Sequence, residues 1–398
     1  MRWGEVDFSG VLVGAYLAPL TLLWAALAAG VGQWQRRFAL SNAGPIDLPR
    51  VSICVPARDE AHQIGACIRA ALAQDHPDVE VLLVDDQSAD GTAEVATAAA
   101  AGDPRFRVLA GTAPAAGWAG KQWACNRAAG SATGEILLFV DADVTLASGA
   151  VRRAASVLVA RRLGLLSLFG TWKLESFWEA VAIPVIGWFV RGAVDVDAVN
   201  SPGTDVAFAN GQFLMVSREA YDHVGGHGAV RDTVLDDVRL AQAFKRRGHA
   251  LGLFWAPELF EVRLYRSLGE IIRGYSKNFY EGMNRQPLLA LGALLFVLVG
   301  SLFPWGMLAA SVTRPAEVLL GEDHLGWWRG WTALVCLLPL IVRYRLERAD
   351  GRSGAMALTD PLGNLVLAWV LLRSVFSVST VWKGREFHDG RVGARDPG

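Results

Sequence analysis

Between Gly10 and Gly32 the chain carries no charged side chain and is almost continuously apolar. At about 1.5 Å of rise per residue, a helix of this length crosses a hydrocarbon layer of ~30 Å. A transmembrane helix is therefore expected over residues 10–32. Ala26-Leu27-Ala28 offers a competing reading as a weak signal-cleavage site. The flanking charges oppose it, since Arg2 stands against Glu5 and Asp7 while Arg36 and Arg37 follow the apolar run. By the positive-inside rule this orientation leaves the N-terminus outside and the next domain in the cytoplasm.

From about residue 48 to 285 the pattern changes to short β-branched runs alternating with helical spacing. Val51 to Val55 reads as a strand. Ile64, Cys67, Ile68, Ala71 and Leu72 then share one helical face, and the helix stops near His76-Pro77. Strands are expected at Val79 to Val84, Phe106 to Leu109 and Glu135 to Val140, with a helix over Thr92 to Ala101. Such a βαβ series implies an α/β domain with a parallel sheet. Inside it, residues 163–200 contain an apolar stretch, Phe177 to Val190, interrupted by Pro184. This is too short and too broken for a span, and an interfacial helix is expected, with a buried core helix as the alternative.

Beyond Gln286 the chain turns apolar again at 287–310, 325–342 and 361–382, giving a membrane region over 287–382 with two or three spans. Arg343, Arg345, Arg348 and Arg352 mark the loop before the last stretch as cytoplasmic. Four full spans would put the polar tail 383–398 outside, against its Lys383, Arg385, Arg391 and Arg395. A re-entrant or interfacial last segment, with Arg373 facing protein or water, removes the conflict.

Composition supports a membrane protein, with 52% hydrophobic residues. With 38 basic and 39 acidic residues and a net charge of -1, nothing argues for a nucleic-acid partner. The four cysteines, at 54, 67, 125 and 336, show no paired spacing and read as reduced thiols.

Polar clusters follow three of the expected strands: Pro56-Ala57-Arg58-Asp59-Glu60, Asp85-Asp86-Gln87-Ser88 and Asp141-Ala142-Asp143. In an open α/β sheet this edge binds ligands. Asp59 and Asp90 have a plain alternative as helix and turn caps. Two Asp separated by one small residue at a strand end suit a divalent cation that offsets the charge of a departing diphosphate. His223 and His227 have a metal-pair spacing, but Gly225-Gly226 between them argues for a turn, and they are read as structural.

The stretch from about 50 to 285 resembles glycosyltransferase family 2. Val55 to Glu60 is similar to its opening motif, Val84 to Thr92 to its second, and Asp141-Ala142-Asp143 to its metal motif. The resemblance implies a GT-A nucleotide-diphospho-sugar transferase fold with N- and C-terminal transmembrane helices. Pro56, Ala57, Arg58, Glu60 and Asp86 are then expected at the nucleotide base and ribose, and Asp141, Ala142 and Asp143 at the diphosphate with Mg2+ or Mn2+. Within the family the chain is most similar to enzymes acting on membrane lipids, including ceramide glucosyltransferase-like, carotenoid and hopanoid-associated members. Gly117-Trp118-Ala119-Gly120-Lys121 is the sharpest pointer, with Lys121 expected to reach the diphosphate. Asn210-Gly211-Gln212-Phe213 resembles the acceptor-side strand, with Gln212 near sugar or acceptor.

Val234-Leu235-Asp236-Asp237 resembles the family's Glu-Asp motif, whose second acid is the catalytic base. Asp237 takes that role by resemblance and Asp236 replaces the usual glutamate, while helix-dipole complementation is the plain alternative. Many relatives carry Gln-x-x-Arg-Trp further on, where this chain has Glu270 to Asn278. Arg273, Tyr275 and Lys277, or Arg263 upstream, are candidates for diphosphate or acceptor contacts, and the altered segment weakens a processive reading. The expectation is a multi-pass enzyme of the cell membrane, its catalytic domain facing the cytoplasm. It moves a sugar from a nucleotide-diphosphate sugar donor to a membrane lipid acceptor with inversion. A nucleotidyltransferase, or a non-catalytic sugar-nucleotide-binding membrane subunit, is the alternative.

Overall fold

A computed structural model describes residues 8–41, 44, 47–233, 235–283, 285–311, 322–376, 379–382, 385–388 and 391–392. Arg2, Glu5, Asp7, Val234, Lys383, Arg395 and most of the tail 383–398 lie outside these residues. The chain divides into two compact units. One is helical and takes in residues 1–37, 174–191 and 265–376; the other is built on a sheet and takes in 38–173, 192–264 and 377–398.

The helical unit opens with α1 (Phe8–Phe38). Among the described residues, three helices are long and apolar enough to cross a membrane: Leu12–Phe38, Pro287–Ala310 and Ala355–Phe376. The second of these changes pitch, with a π-helical segment at Phe296–Leu302 ahead of Pro304. The looser pitch and the missing proline N–H free backbone carbonyls, which hydrocarbon cannot satisfy. Side chains of α1 satisfy them: the Trp24 indole donates to Gly300 O at 3.2 Å, and the Tyr16 hydroxyl donates to Val299 O. The helix Glu322–Ala349 contains the apolar stretch at 325–342. The final apolar helix ends at Phe376, and Ser379–Trp382 pairs as a strand in a small antiparallel sheet with Arg385–His388 and Arg391–Val392.

The apolar Trp-bearing stretch forms a helix over Phe177–Gly192 within the helical unit, with Val181, Ala182, Ile183 and Ile186 buried. Pro184 leaves the Ala180 carbonyl without its helical donor. Arg343 supplies one, donating to Ala180 O at 2.7 Å and to Val181 O at 3.1 Å.

In the other unit, seven strands form one sheet in the order β3-β2-β1-β4-β8-β6-β9. They are β1 (Val51–Ala57), β2 (Val79–Asp85), β3 (Phe106–Ala110), β4 (Ile136–Val140), β6 (Leu165–Phe169), β8 (Phe213–Ser217) and β9 (Leu251–Trp255). Strands β3, β2, β1 and β4 are parallel, as the helical crossovers require. Ala57 lies opposite Asp85 in the register, so the polar segments after β1 and β2 emerge level. The sheet is not wholly parallel, however. β8 runs antiparallel to both β4 and β6, with Val140 opposite Phe213. That reversal carries the loop before β8 to the edge where β4 ends at Asp141. A second sheet of β5 (Val144–Leu146), β10 (Phe260–Val262) and β7 (Thr171–Trp172) continues from it.

Glu80 ties the parallel strands together. Its carboxylate is buried and accepts from Ser52 Oγ at 2.6 Å, from Thr133 N at 2.6 Å and from Arg107 Nη2 at 2.9 Å. Burial works against its charge, but these donors outweigh it and hold its pKa down at about 2.

Candidate active site

The loops after β1 and β2 are laced to each other. The Asp59 N–H donates to Ser88 Oγ at 3.0 Å, and the Ala89 N–H returns a bond of 2.8 Å to Asp59 Oδ1. Glu60 N–H reaches Thr92 Oγ1 at 2.9 Å and Ala61 N–H reaches Asp90 Oδ2 at 2.9 Å. Asp59 and Asp90 therefore serve as loop ties. Asp59 and Gln87 hold left-handed backbone at φ 55° and 60°, a strained geometry that the cross-bonds over-determine. Behind Pro56 and Ala57, Arg58 donates to Asp86 O at 3.4 Å, and its guanidinium is 3.9 Å from the buried Asp86 carboxylate. Gly111 closes this corner. A Cβ there would sit 2.0 Å from Asp85 O and 2.9 Å from Asp86 Cα. The sequence reading missed it, because a lone glycine after a strand gives no distinguishing signal.

Asp141 and Asp143 leave the end of β4 with Ala142 buried between them. Lys121 stands in the first turn of α4 (Gly120–Ser131), its Nζ 2.7 Å from Asp141 Oδ1 and 3.9 Å from Asp236 Oδ2. Burial disfavours the ammonium, but Asp141 and then Asp236 raise its pKa well above the usual lysine value. Asp143 has the opposite balance. Burial, followed by the charges of Asp141 and Glu60, raises its carboxyl well above the usual range, and its buried Oδ1 has no hydrogen-bond partner. An orphaned carboxylate oxygen beside two further acids fits a divalent cation. Among the described residues no cluster of three or more ligating side chains is assembled. Asp141 and Asp143 would thus supply part of a shell whose remainder suits phosphate oxygens and water, as for magnesium.

Asp236 and Asp237 open α9 (Asp236–Arg246). The N-terminal end of α4 is tied to the chain just before them: Ala119 N–H donates to Arg231 O at 2.7 Å, and Gln122 Nε2 to Thr233 O at 2.7 Å. Asp237 Oδ2 accepts the Gly211 N–H at 2.8 Å, and Oδ1 accepts the Val238 N–H at 2.8 Å. Its pKa is raised to about 6 by burial and then by Asp236, against the pull of Lys121 and the two amides. A carboxylate in this range is matched to proton transfer near neutral pH.

Gln212 lies next to Gly211, its Oε1 accepting from Asn210 Nδ2 at 3.1 Å. Arg263 follows β10 and joins the same edge, its N–H donating to Asp143 O at 3.4 Å. Arg273, Tyr275 and Lys277 do not belong to this unit; they lie on α10 (Leu268–Gly282) in the helical one. There the Tyr275 ring meets Tyr265 edge to face at 5.4 Å. His227 is buried and bonded through Nδ1 to the Tyr221 hydroxyl at 2.8 Å, while His223 pairs with His249 at 3.0 Å.

Residues 52–225 match the sequence profile of the family described as glycosyl transferase family 2. Over 300 residues the chain is 26% identical to a 4,4'-diaponeurosporenoate glycosyltransferase of Staphylococcus haemolyticus, covering 72% of this chain and 76% of that one. It is also 26% identical over 231 residues to a beta-monoglucosyldiacylglycerol synthase of Synechocystis, covering 55% of this chain and 45% of the relative, just under half its length. Among solved structures, it superposes on the mannosyltransferase PcManGT from Pyrobaculum calidifontis, determined with GDP-Man and Mn2+, at a TM-score of 0.50. That match has 21% identity and covers 82% of this chain and 97% of that one. The likeness is one of fold, the GT-A arrangement expected from the motifs.

Proposed function

We propose, from the premise that this chain carries a glycosyl transferase family 2 domain and is a glycosyltransferase, that it transfers a sugar from a nucleoside-diphosphate sugar to a membrane lipid with inversion. The observation that carries this reading is the bridge of Lys121 between Asp141 and Asp236, which joins donor-side acids and base helix in one site. Asp86 and Arg58 take the nucleoside, and Lys121 takes a diphosphate oxygen. Asp141 and Asp143 would hold Mg2+ or Mn2+, which when bound offsets the charge of the leaving diphosphate. Asp237 accepts the proton of the acceptor hydroxyl as that oxygen bonds to the anomeric carbon and the carbon–oxygen bond to the diphosphate breaks. Arg263 is a diphosphate or acceptor contact at the Asp143 end, and Gln212 a contact for sugar or acceptor.

A lipid acceptor is supported by the three apolar helices and by relatives whose names carry diaponeurosporenoate and monoglucosyldiacylglycerol. Arg36 and Arg37, in the last turn of α1, support a cytoplasmic location for the catalytic unit in a multi-pass arrangement in the cell membrane. The α10 residues Arg273, Tyr275 and Lys277 remain acceptor candidates.

The test incubates the purified protein in lipid-extract vesicles with UDP- and GDP-hexoses and Mg2+ or Mn2+, following nucleoside diphosphate and glycolipid. Both products should form, and Asp237→Asn and Asp143→Ala should abolish them. Pyrophosphate as product would indicate a nucleotidyltransferase instead. Transfer that persists in both variants would remove the mechanism, and donor binding without turnover would mark a binding subunit.

A further inference from the structure

We propose that Asn210 is a positioning residue that sets, through one loop, both the carboxylate of Asp237 and the amide of Gln212. The inference rests on the reading of Asp237 as base. Its origin lies in β6, where Ser167 is a lone fully buried hydroxyl in an otherwise apolar strand. Ser167 Oγ accepts the Asn210 N–H at 2.8 Å and donates to Asn210 O at 3.1 Å. Asn210 Nδ2 then donates to Leu168 O at 2.9 Å and to Gln212 Oε1 at 3.1 Å. Backbone and side chain of Asn210 are thus both fastened to β6.

Two consequences follow for the substrate side. The fixed loop presents the Gly211 N–H to Asp237 Oδ2 at 2.8 Å, while Val238 N–H takes Oδ1. With one lone pair of each oxygen engaged, the plane of the carboxylate is set and the other lone pairs stay available for a proton. The glycine keeps this approach open, since a Cβ at position 211 would lie 3.0 Å from that same Oδ2 and press on the carboxylate. For Gln212, engagement of Oε1 leaves Nε2, which donates to no described residue, as a donor for a hydroxyl or phosphoryl oxygen of the substrates.

The charged groups that face Asp237 are Asp236, from its own helix, and Lys121 from α4. A directed amide N–H favours the ionised form and works with Lys121 against burial and Asp236. Loosening the Asn210 anchor weakens that bond without removing any charge.

The experiment measures kcat/KM against pH for the full-length protein in lipid-extract vesicles, with the UDP- or GDP-hexose that supports nucleoside diphosphate release. In Asn210→Ala the midpoint of the acid limb should rise by about half a unit to one unit. At neutral pH, kcat should fall by roughly 10- to 100-fold from misplacement of the base. An unmoved acid limb with kcat within about threefold of the parent, below the loss expected for a misplaced base, overturns the proposal. If Asn210→Ala does not fold, Ser167→Ala, which deletes one hydroxyl, is read in its place. It should move the limb in the same direction, and an unmoved limb there overturns the proposal equally. Asp237→Asn separates the two readings: transfer that survives it defeats the base assignment itself. An inactive Asp237→Asn beside a parent-like Asn210→Ala defeats only the positioning role.

Discussion

Lys121, in the first turn of α4, is paired at 2.7 Å with Asp141 at the end of β4, and the same ammonium faces Asp236 at 3.9 Å. A cation held by acids from two loops is placed before any substrate arrives, and such preorganised charge accounts for large parts of enzymatic rate. Lys121→Ala should lower kcat/KM for nucleoside diphosphate release by roughly 10²- to 10³-fold. Lys121→Arg, which keeps the charge but changes its reach, should recover part of it. A variant within a few fold of the parent would show that the lysine only neutralises its neighbours.

Asp237 carries a pKa raised to about 6, with burial the larger cause and Asp236 the next. A base works only when ionised, so kcat/KM should fall as pH drops through about 6 and level off above it. Asp236→Asn removes the neighbouring negative charge and should shift that limb to lower pH. A limb that stays in place in Asp236→Asn would assign it to another group.

The strand-end clusters were legible because each depends on local information alone: an apolar run such as Val51 to Val55 or Ile136 to Val140, followed by polar residues. The reversal of β8 was not. Five residues, Phe213 to Ser217, have the same apolar character in either direction, and only tertiary pairing with β4 decides it. Asn210 was visible as part of a motif, yet its role comes from Ser167 on a different strand. A serine among Leu165, Leu166, Leu168 and Phe169 was the available signal, since a polar residue in a buried strand needs a partner. Likewise Asp236 could be paired with its helix dipole from sequence, but its nearness to Lys121 depends on the ties from Ala119 and Gln122 to the 231–233 segment.

Asp143 keeps a buried oxygen without a partner beside Asp141 and Glu60. A divalent cation that binds only the folded state should stabilise it, by about 2.7 kcal/mol at a concentration 100 times its Kd. Differential scanning fluorimetry in detergent should therefore show a rise in Tm on adding Mg2+ or Mn2+ to EDTA-treated protein, lost in Asp143→Ala. Equal shifts in parent and variant would move the cation elsewhere.

Gly111 packs where a Cβ would overlap the Asp85 carbonyl at 2.0 Å. The obstacle is backbone rather than a mobile side chain, so Gly111→Ala must displace the end of β3 or the Asp86 loop. A destabilisation of about 1–3 kcal/mol is expected from the overpacking. Because Asp86 and Arg58 are held at that corner, binding of the free nucleoside diphosphate should weaken as well. Calorimetry of UDP and GDP binding checks this, and unchanged affinity would detach the corner from the nucleotide.

Trp24 and Tyr16 donate to the Gly300 and Val299 carbonyls, at the π-helical segment that precedes Pro304. In water an unmade bond at such a carbonyl would be taken up by solvent, but a helix in hydrocarbon has none to offer. Trp24→Phe and Tyr16→Phe keep the aromatic bulk and delete only the donors. Each should lower stability in detergent or bicelles by about 1 kcal/mol, the scale of interhelical hydrogen bonds in membranes. The pair removes donors to adjacent carbonyls of one distorted turn, so the double variant should deviate from additivity. Thermal unfolding of both single variants and the double one checks this. A parent-like Trp24→Phe would mean that the released carbonyls find partners within their own helix, and that α1 holds the Pro287–Ala310 helix by packing alone.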